Sequence, residues 1–368
     1  MSHPEWTFNR RRLLQTGIAA AGIAACPAIL RAQGSSRQTF TLGVTAGDPA
    51  ADGFVIWTRL APEPGDRHGG MPMMPVPVGW EVATDEAFRS IVAGGTATAR
   101  PELGHSVHVE VTGLAPDRPY WYRFAVAGEQ SPAGRARTLP LASASPAALR
   151  FGVCGCQNYE DGLFTALRHL ADEDLAFVYH YGDFIYEGAR AGPGTLPWGT
   201  PIPIVRRHGA GECFDLADYR QRYALYLMDP DLRAARAAHT WLQSFDDHEV
   251  ANNWAADIDA KGAPPEIFAL RRQAAMQAWY EFMPVRAALL PRHGAITAWR
   301  GFDYGRLARI DVLDTRSDRT DQPCGDGFKP ACPETAARAA RMLSPAQERW
   351  IAREMRSPAI WSCIAQQV

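Results

Sequence analysis

The chain has 368 residues, of which 46% are hydrophobic and 21% charged, and 38 basic residues nearly balance 40 acidic ones. That composition belongs to a globular protein with room for two domains, and it excludes a collagen-like, low-complexity or disulfide-scaffold chain. A net charge of −2 with no basic stripe offers nothing specific to nucleic acid, and no segment repeats at solenoid period.

Residues 1–33 read as a targeting segment. Arg10, Arg11 and Arg12 precede Leu13 and Leu14, then an Ala/Gly/Ile run from Gly17 to Leu30 that is too short and too weakly apolar to span a membrane. NRRRLLQ approximates the twin-arginine pattern, with Asn9 and Gln15 as departures, and an ordinary basic signal peptide is the other reading. Export of a folded protein by the twin-arginine machinery would place it in the periplasm or outside the cell. Cys26 ends a lipobox-like Ile23-Ala24-Ala25-Cys26 and would make a lipoprotein, but Pro27 follows it, and cleavage after Ala32 is preferred.

From 38 to 140, short alternating segments separated by turns predict a β-sandwich: TLGVTAG, GFVIWTRL, VPVGWEVA, SVHVEVTGL and YWYRFAVAG. Leu114-Ala115-Pro116 followed by Tyr120 resembles the corner of fibronectin type III modules, where a tyrosine hydroxyl ties the turn to its own backbone. Residues 141–149 are a small-residue linker, and a second domain runs from 150 to 368.

The chemistry lies in that second part. FGVCGCQNYEDG (151–162) and FVYHYGDFIYEG (177–188) each begin as a buried apolar strand and end in metal-ligating side chains. Leu163 to Asp174 between them predicts a helix with Phe164, Leu167 and Leu170 on one face. A right-handed strand–helix–strand crossover then brings Cys156 and Asp183 to one edge of one sheet. Residues 189–211 form a Gly/Pro-rich loop expected to roof the site, and 218–226 and 230–239 read as helices, the latter with His239 at the surface.

SFDDHEVANNW (244–254) packs two aspartates, a histidine, a glutamate and two asparagines into a third strand tip, a density that suits metal ions acting on a phosphate ester. His180 reads as a satisfied histidine supporting Asp183, and Cys154 as a buried small hydrophobe. Further on, 265–283 predicts a helix with core aromatics, IDVL precedes Asp314-Thr315-Arg316, and Ser344-Pro345-Ala346-Gln347 opens a helix before a strand at 360–368. Asp314 would orient Arg316, with a plain salt bridge as the other reading. Cys324 and Cys332 are placed to pair in an oxidising compartment.

CQNYEDGLFTALRHLADEDLAFVYHYGDFIYE, DYRQRYALY, FDDHEVANNW and DVLDTRSDR, in this order, resemble the PhoD family of secreted alkaline phosphatases and phosphodiesterases. The likeness runs from about residue 38 to the end of the chain. It implies the four-layer α/β/β/α sandwich of calcineurin-like metallophosphoesterases, preceded by a fibronectin-III-like β-sandwich. It further implies iron(III) on Cys156, Asp183 and Tyr186, calcium bridged by Asp183, and Asp247 with Asp246, Asn252 and Asn253 as oxygen donors. Thiolate and phenolate suit a trivalent iron, and carboxylate and amide oxygens suit calcium.

By the same resemblance His248 protonates the leaving alkoxide, Arg316 clamps the phosphate, and a metal-bound hydroxide attacks phosphorus in line. The substrates implied are phosphate monoesters or diesters, hydrolysed by a secreted monomer. Family members carry a late GDVH-like segment, whereas this chain ends at Val368. Three readings therefore stand: a piece of an active phosphatase, a truncated inactive chain that binds metal or phosphate, and a phospholipase-like phosphodiesterase.

Overall fold

A computed structural model describes residues 38–368 apart from 197, 210, 293, 294, 326–328 and 338. The expected signal segment, with Arg10–Arg12 and Cys26, lies outside the described residues.

The first half supplies strands β1 (Val44–Ala50), β2 (Gly53–Arg59), β3 (Val76–Ala83), β4 (Ile91–Ala99), β5 (Ser106–Val111), β6 (Pro119–Val126), β7 (Glu129–Gln130) and β8 (Gly134–Arg137). One sheet runs β4-β3-β6-β7, with β8 also pairing to β6. The corner before β6 is tied as the sequence predicts: the Ala115 amide donates to Tyr120 Oη at 2.8 Å, and the hydroxyl returns to the Ala115 carbonyl at 3.2 Å. β4 was not foreseen, because IVAGGTATA breaks its alternation at Gly94-Gly95 and lies largely exposed.

The other sheet of the sandwich does not stop at its own boundary. Next in the chain come β9 (Gly152–Cys154), β10 (Val178–His180), the two-stranded hairpin of β11 (Gly194–Thr195) and β12 (Pro201–Ile202), and β13 (Thr240–Gln243). The order β5-β2-β1-β13-β10-β9 is continuous, because β1 pairs in parallel with β13, Ala46 opposite Thr240. Both halves of the chain therefore share one six-stranded sheet. Its central strands are covered on both faces, which is why β2 and β13 are buried at every residue, their polar Thr58, Arg59, Thr240 and Gln243 included.

Helices cover one face. Thr165–Ala171 is the crossover between β9 and β10, with Phe164 and Leu167 buried as the pattern predicts. Leu216–Leu227 begins at a reciprocal capping box between Asp215 and Asp218, Pro230–Ala238 at an Asp229 cap, and Pro265–Phe282 completes the layer. Trp57, Trp241 and Trp279 are fully buried in the core beneath them. Truncating any one to alanine would cost roughly 3–5 kcal/mol. His239, expected at the surface, is buried, and its Nε2 lies 2.7 Å from the Leu170 carbonyl. It ends its helix against the crossover helix, a tertiary contact that helical spacing does not reveal.

On the opposite face lies a second sheet, β14 (Arg300–Tyr304), β15 (Ala308–Val312) and β16 (Trp361–Ala365). Phe302, Ile310 and Val312 pack against Phe177, Tyr179 and Leu242, the residues that alternate outward from the main sheet. The helix Pro345–Glu354, capped by Ser344 accepting the Gln347 amide, joins β15 to β16, and Trp350 packs on Trp299 with tilted rings at 4.9 Å. This is the layered α/β architecture expected, with packed sheets and flanking helices. Cys324 and Cys332 form a disulfide, as their loop positions suggested.

Candidate metal centre

The parallel register brings the three candidate clusters together. Cys154, His180 and Gln243 stand abreast at the carboxyl ends of β9, β10 and β13, so the segments that follow each strand leave from one edge. The Cys156 amide donates to the Gly182 carbonyl at 3.0 Å and the Gln157 amide to the Asp183 carbonyl at 3.2 Å. Gly182 has φ +130°, and a Cβ there would sit 2.3 Å from the Asp246 amide nitrogen, so only glycine lets these tips touch. Cys156, Asp183 and Asn253 all adopt left-handed φ of 51–56°, a conformation that non-glycine residues hold chiefly where the surroundings impose it.

Glu249, fully buried, fastens the loops. Its oxygens accept the amides of Asp183 at 3.1 Å, Phe184 at 2.7 Å and Asp246 at 2.9 Å. Burial and the neighbouring Asp183 charge push its carboxyl up to about 8.

Asp183, Asp247 and His248 present ligand atoms all within 4.8 Å of one another. Around them, Tyr186 donates its hydroxyl to Asp183 Oδ2 at 3.0 Å and stacks its ring on His248 at 4.1 Å. The Asn253 amide donates to Asp247 Oδ2 at 2.6 Å. The Cys156 thiol lies exposed at the edge, and partial burial together with the nearby Asp183 carboxylate pushes it up to about 12. Asn252 enters through its backbone, which donates to Glu187 Oε1 at 2.8 Å, while its side chain is exposed.

Arg316 closes the far side. Its Nε donates to Asp246 Oδ1 at 2.6 Å and its Nη2 to Asp247 Oδ1 at 3.4 Å, while Nη1 is buried without a partner. Asp314 accepts the amides of Arg316 and Ser317 at 3.1 and 2.9 Å, so it shapes the turn that aims the guanidinium. His180 is buried on the other side, against Phe184 and Trp241. Its Nδ1 takes the Gly182 amide at 3.3 Å, its Nε2 has no hydrogen-bond partner, and burial lowers its pKa to about 3. It supports the strand tip as a neutral ring.

Burial, then the charge of Asp247, pushes the Asp183 carboxyl up to about 6, and Asp246 is also raised despite Arg316. Such crowding of carboxylates in a poorly hydrated hollow is what a bound cation would relieve, and a thiol and a phenol at its edge add soft and anionic donors. The residues present fit a metal centre.

Two carboxylates were missed in the sequence. Glu187 Oε2 lies 2.6 Å from His248 Nδ1 and, with Asp247 and Asp183, outweighs burial to hold the imidazole at about 9. Its only signal was an acidic residue directly after Tyr186. Glu249 stood within DDHE, where nothing distinguished a loop fastener from a ligand.

The family model for the PhoD-like phosphatase matches residues 151–368, and that for the PhoD-like phosphatase N-terminal domain matches 24–140. Alkaline phosphatase D of Bacillus subtilis is 44% identical across 98% of this chain. A solved structure described as that of PhoD superposes with a TM-score of 0.86 at 46% identity over 92% of the chain. The chain spans 63% of the length of the Bacillus protein and 64% of the solved one. With both matched regions and the superposed fold in agreement, the chain belongs to the PhoD-like phosphatase family.

Proposed function

We propose that the protein is a metal-dependent hydrolase of phosphate monoesters or diesters. The observation that carries this reading is the cluster of Asp183, Asp247 and His248 within 4.8 Å at the ends of parallel strands, faced by the guanidinium of Arg316. Cys156, Asp183 and Tyr186 would hold iron(III), and Asp183, Asp247 and an Asn252 carbonyl would hold calcium. Bound there, the cations would supply Lewis-acid polarisation and charge neutralisation at the phosphoryl group.

The protein groups divide the remaining work. His248 has its Nδ1 committed to Glu187, which leaves Nε2 to carry a proton towards the departing oxygen. Tyr186, stacked on that ring, keeps it from rotating away. Arg316, whose guanidinium lies against Asp246 and Asp247, would clamp a phosphate oxygen by a charge-assisted bond of the kind phosphate sites favour. The same reading makes the enzyme a monomer, exported folded by the twin-arginine route to the periplasm or beyond.

The test separates ligand from proton donor. Asp183→Asn is expected to lose bound metal and turnover together, whereas His248→Ala keeps most of its metal and loses turnover. Metal content measured by plasma emission beside p-nitrophenyl phosphate hydrolysis decides it: a His248→Ala protein stripped of metal makes that histidine a ligand.

A further inference from the structure

Tyr226, fully buried on the helix Leu216–Leu227, places its hydroxyl among three partners. The amides of Tyr159 and Tyr186 each donate to it at 3.1 Å, and His208 Nε2 lies 3.0 Å away. A hydroxyl oxygen that accepts twice has one proton left to give, so it goes to His208 Nε2. The imidazole is then neutral with its hydrogen on Nδ1, 3.7 Å from Glu160 Oε2. Burial, then the charge of Arg222, lowers His208 to about 4, which agrees with an accepting ring.

The two amides belong to the two loops that carry Cys156 and Tyr186. Glu160, beside Tyr159 and fully buried, also accepts the amides of Arg190 at 2.6 Å and His208 at 3.1 Å, closing the neck of the segment between them. Arg206 Nε adds a bond to the Tyr159 carbonyl at 2.7 Å. One buried oxygen thus joins both ligand loops to the neck of the 190–208 segment.

We propose that Tyr226 is a positioning residue whose hydroxyl, oriented by His208, sets the spacing of the Cys156 and Tyr186 loops and makes it depend on the closed neck of residues 190–208. This rests on the reading of the metal centre above. Tyr226 is not placed to touch substrate; it acts through the backbone of the two loops.

Tyr226→Phe removes the oxygen and keeps the ring packed on Tyr159 and Phe164. Hydrogen–deuterium exchange should quicken about tenfold at 156–161 and 183–188, the scale expected when buried amides lose an acceptor, while the helix Pro265–Phe282 exchanges as before. The kcat for p-nitrophenyl phosphate should fall about tenfold with KM within about twofold, because positioning is lost and not ground-state binding. His208→Gln, whose side-chain oxygen can take the phenolic proton, should keep more protection than His208→Ala. Unchanged exchange in both loops overturns the proposal, as does acceleration spread equally over Pro265–Phe282 or an unchanged kcat in active protein. A wild-type protein without turnover that still shows the local acceleration in Tyr226→Phe would sink the phosphatase reading and support the positioning role.

Discussion

Glu187 joins His248 to Asn252: one carboxylate oxygen lies 2.6 Å from His248 Nδ1, and the other accepts the Asn252 amide at 2.8 Å. The carboxylate is buried, yet the imidazole keeps it below the usual range for glutamate. A charged pair of this kind fixes both the tautomer and the orientation of the ring. Glu187→Gln should therefore lower kcat by about 10- to 100-fold, the loss typical of groups that orient a functional histidine, while bound metal is retained. Steady-state kinetics beside metal analysis checks this, and wild-type turnover in Glu187→Gln would remove Glu187 from the machinery.

Asp183 shows the opposite balance. Without a cation, its charge is opposed by burial and by Asp247. Asp183→Asn relieves that repulsion, and asparagine tolerates the left-handed backbone at φ 52°. The metal-stripped variant should melt roughly 2–4 °C above metal-stripped wild type, a shift corresponding to about 1 kcal/mol, although it binds metal more weakly. Calorimetry of both stripped proteins decides the sign.

Tyr120→Phe probes the sandwich alone. Its hydroxyl both receives the Ala115 amide and donates to the Ala115 carbonyl, so the change should cost about 1–2 kcal/mol of stability. Denaturant unfolding should show that loss, with kcat unchanged.

Burial also sets an acid limit on stability. His180 and His108 are held neutral, at about 3 and about 4, chiefly by burial. Unfolded, both would bind protons near pH 6.5. Because the folded values are depressed, their contribution is complete above about pH 6.5 and is lost as pH falls towards 4, where the unfolded chain holds more protons. Their own contribution should fall by roughly a few kcal/mol across that window, opposite in sign to that of the raised Glu249 and Asp183 carboxyls. His180→Asn should flatten the slope, and an equal slope in that variant would contradict the assignment.

Much of this arrangement was legible in the residues because it is local. Apolar runs ending in Cys156, Asp183 and Asp247 read as strand tips, and the parallel register of β9, β10 and β13 brings those tips to one edge. The tyrosine corner and the Ser344 cap were equally local. What escaped depends on contacts between distant segments. β1 joining β13 extends one sheet across the expected domain boundary, and no periodicity encodes that pairing. Glu187, Glu249 and Tyr226 act by accepting backbone amides, a role any buried polar residue can take, so residue type alone did not mark them.

The central claim is that the Asp183, Asp247 and His248 cluster is a metal centre on which phosphate-ester hydrolysis depends. The most direct measurement strips the purified protein with a chelator, follows metal content and p-nitrophenyl phosphate and bis-p-nitrophenyl phosphate hydrolysis together, and repeats both in Asp183→Asn. The account predicts that turnover falls to background as metal leaves, returns when iron and calcium are restored, and never returns in Asp183→Asn. Full turnover in the stripped protein, or in Asp183→Asn, would contradict it.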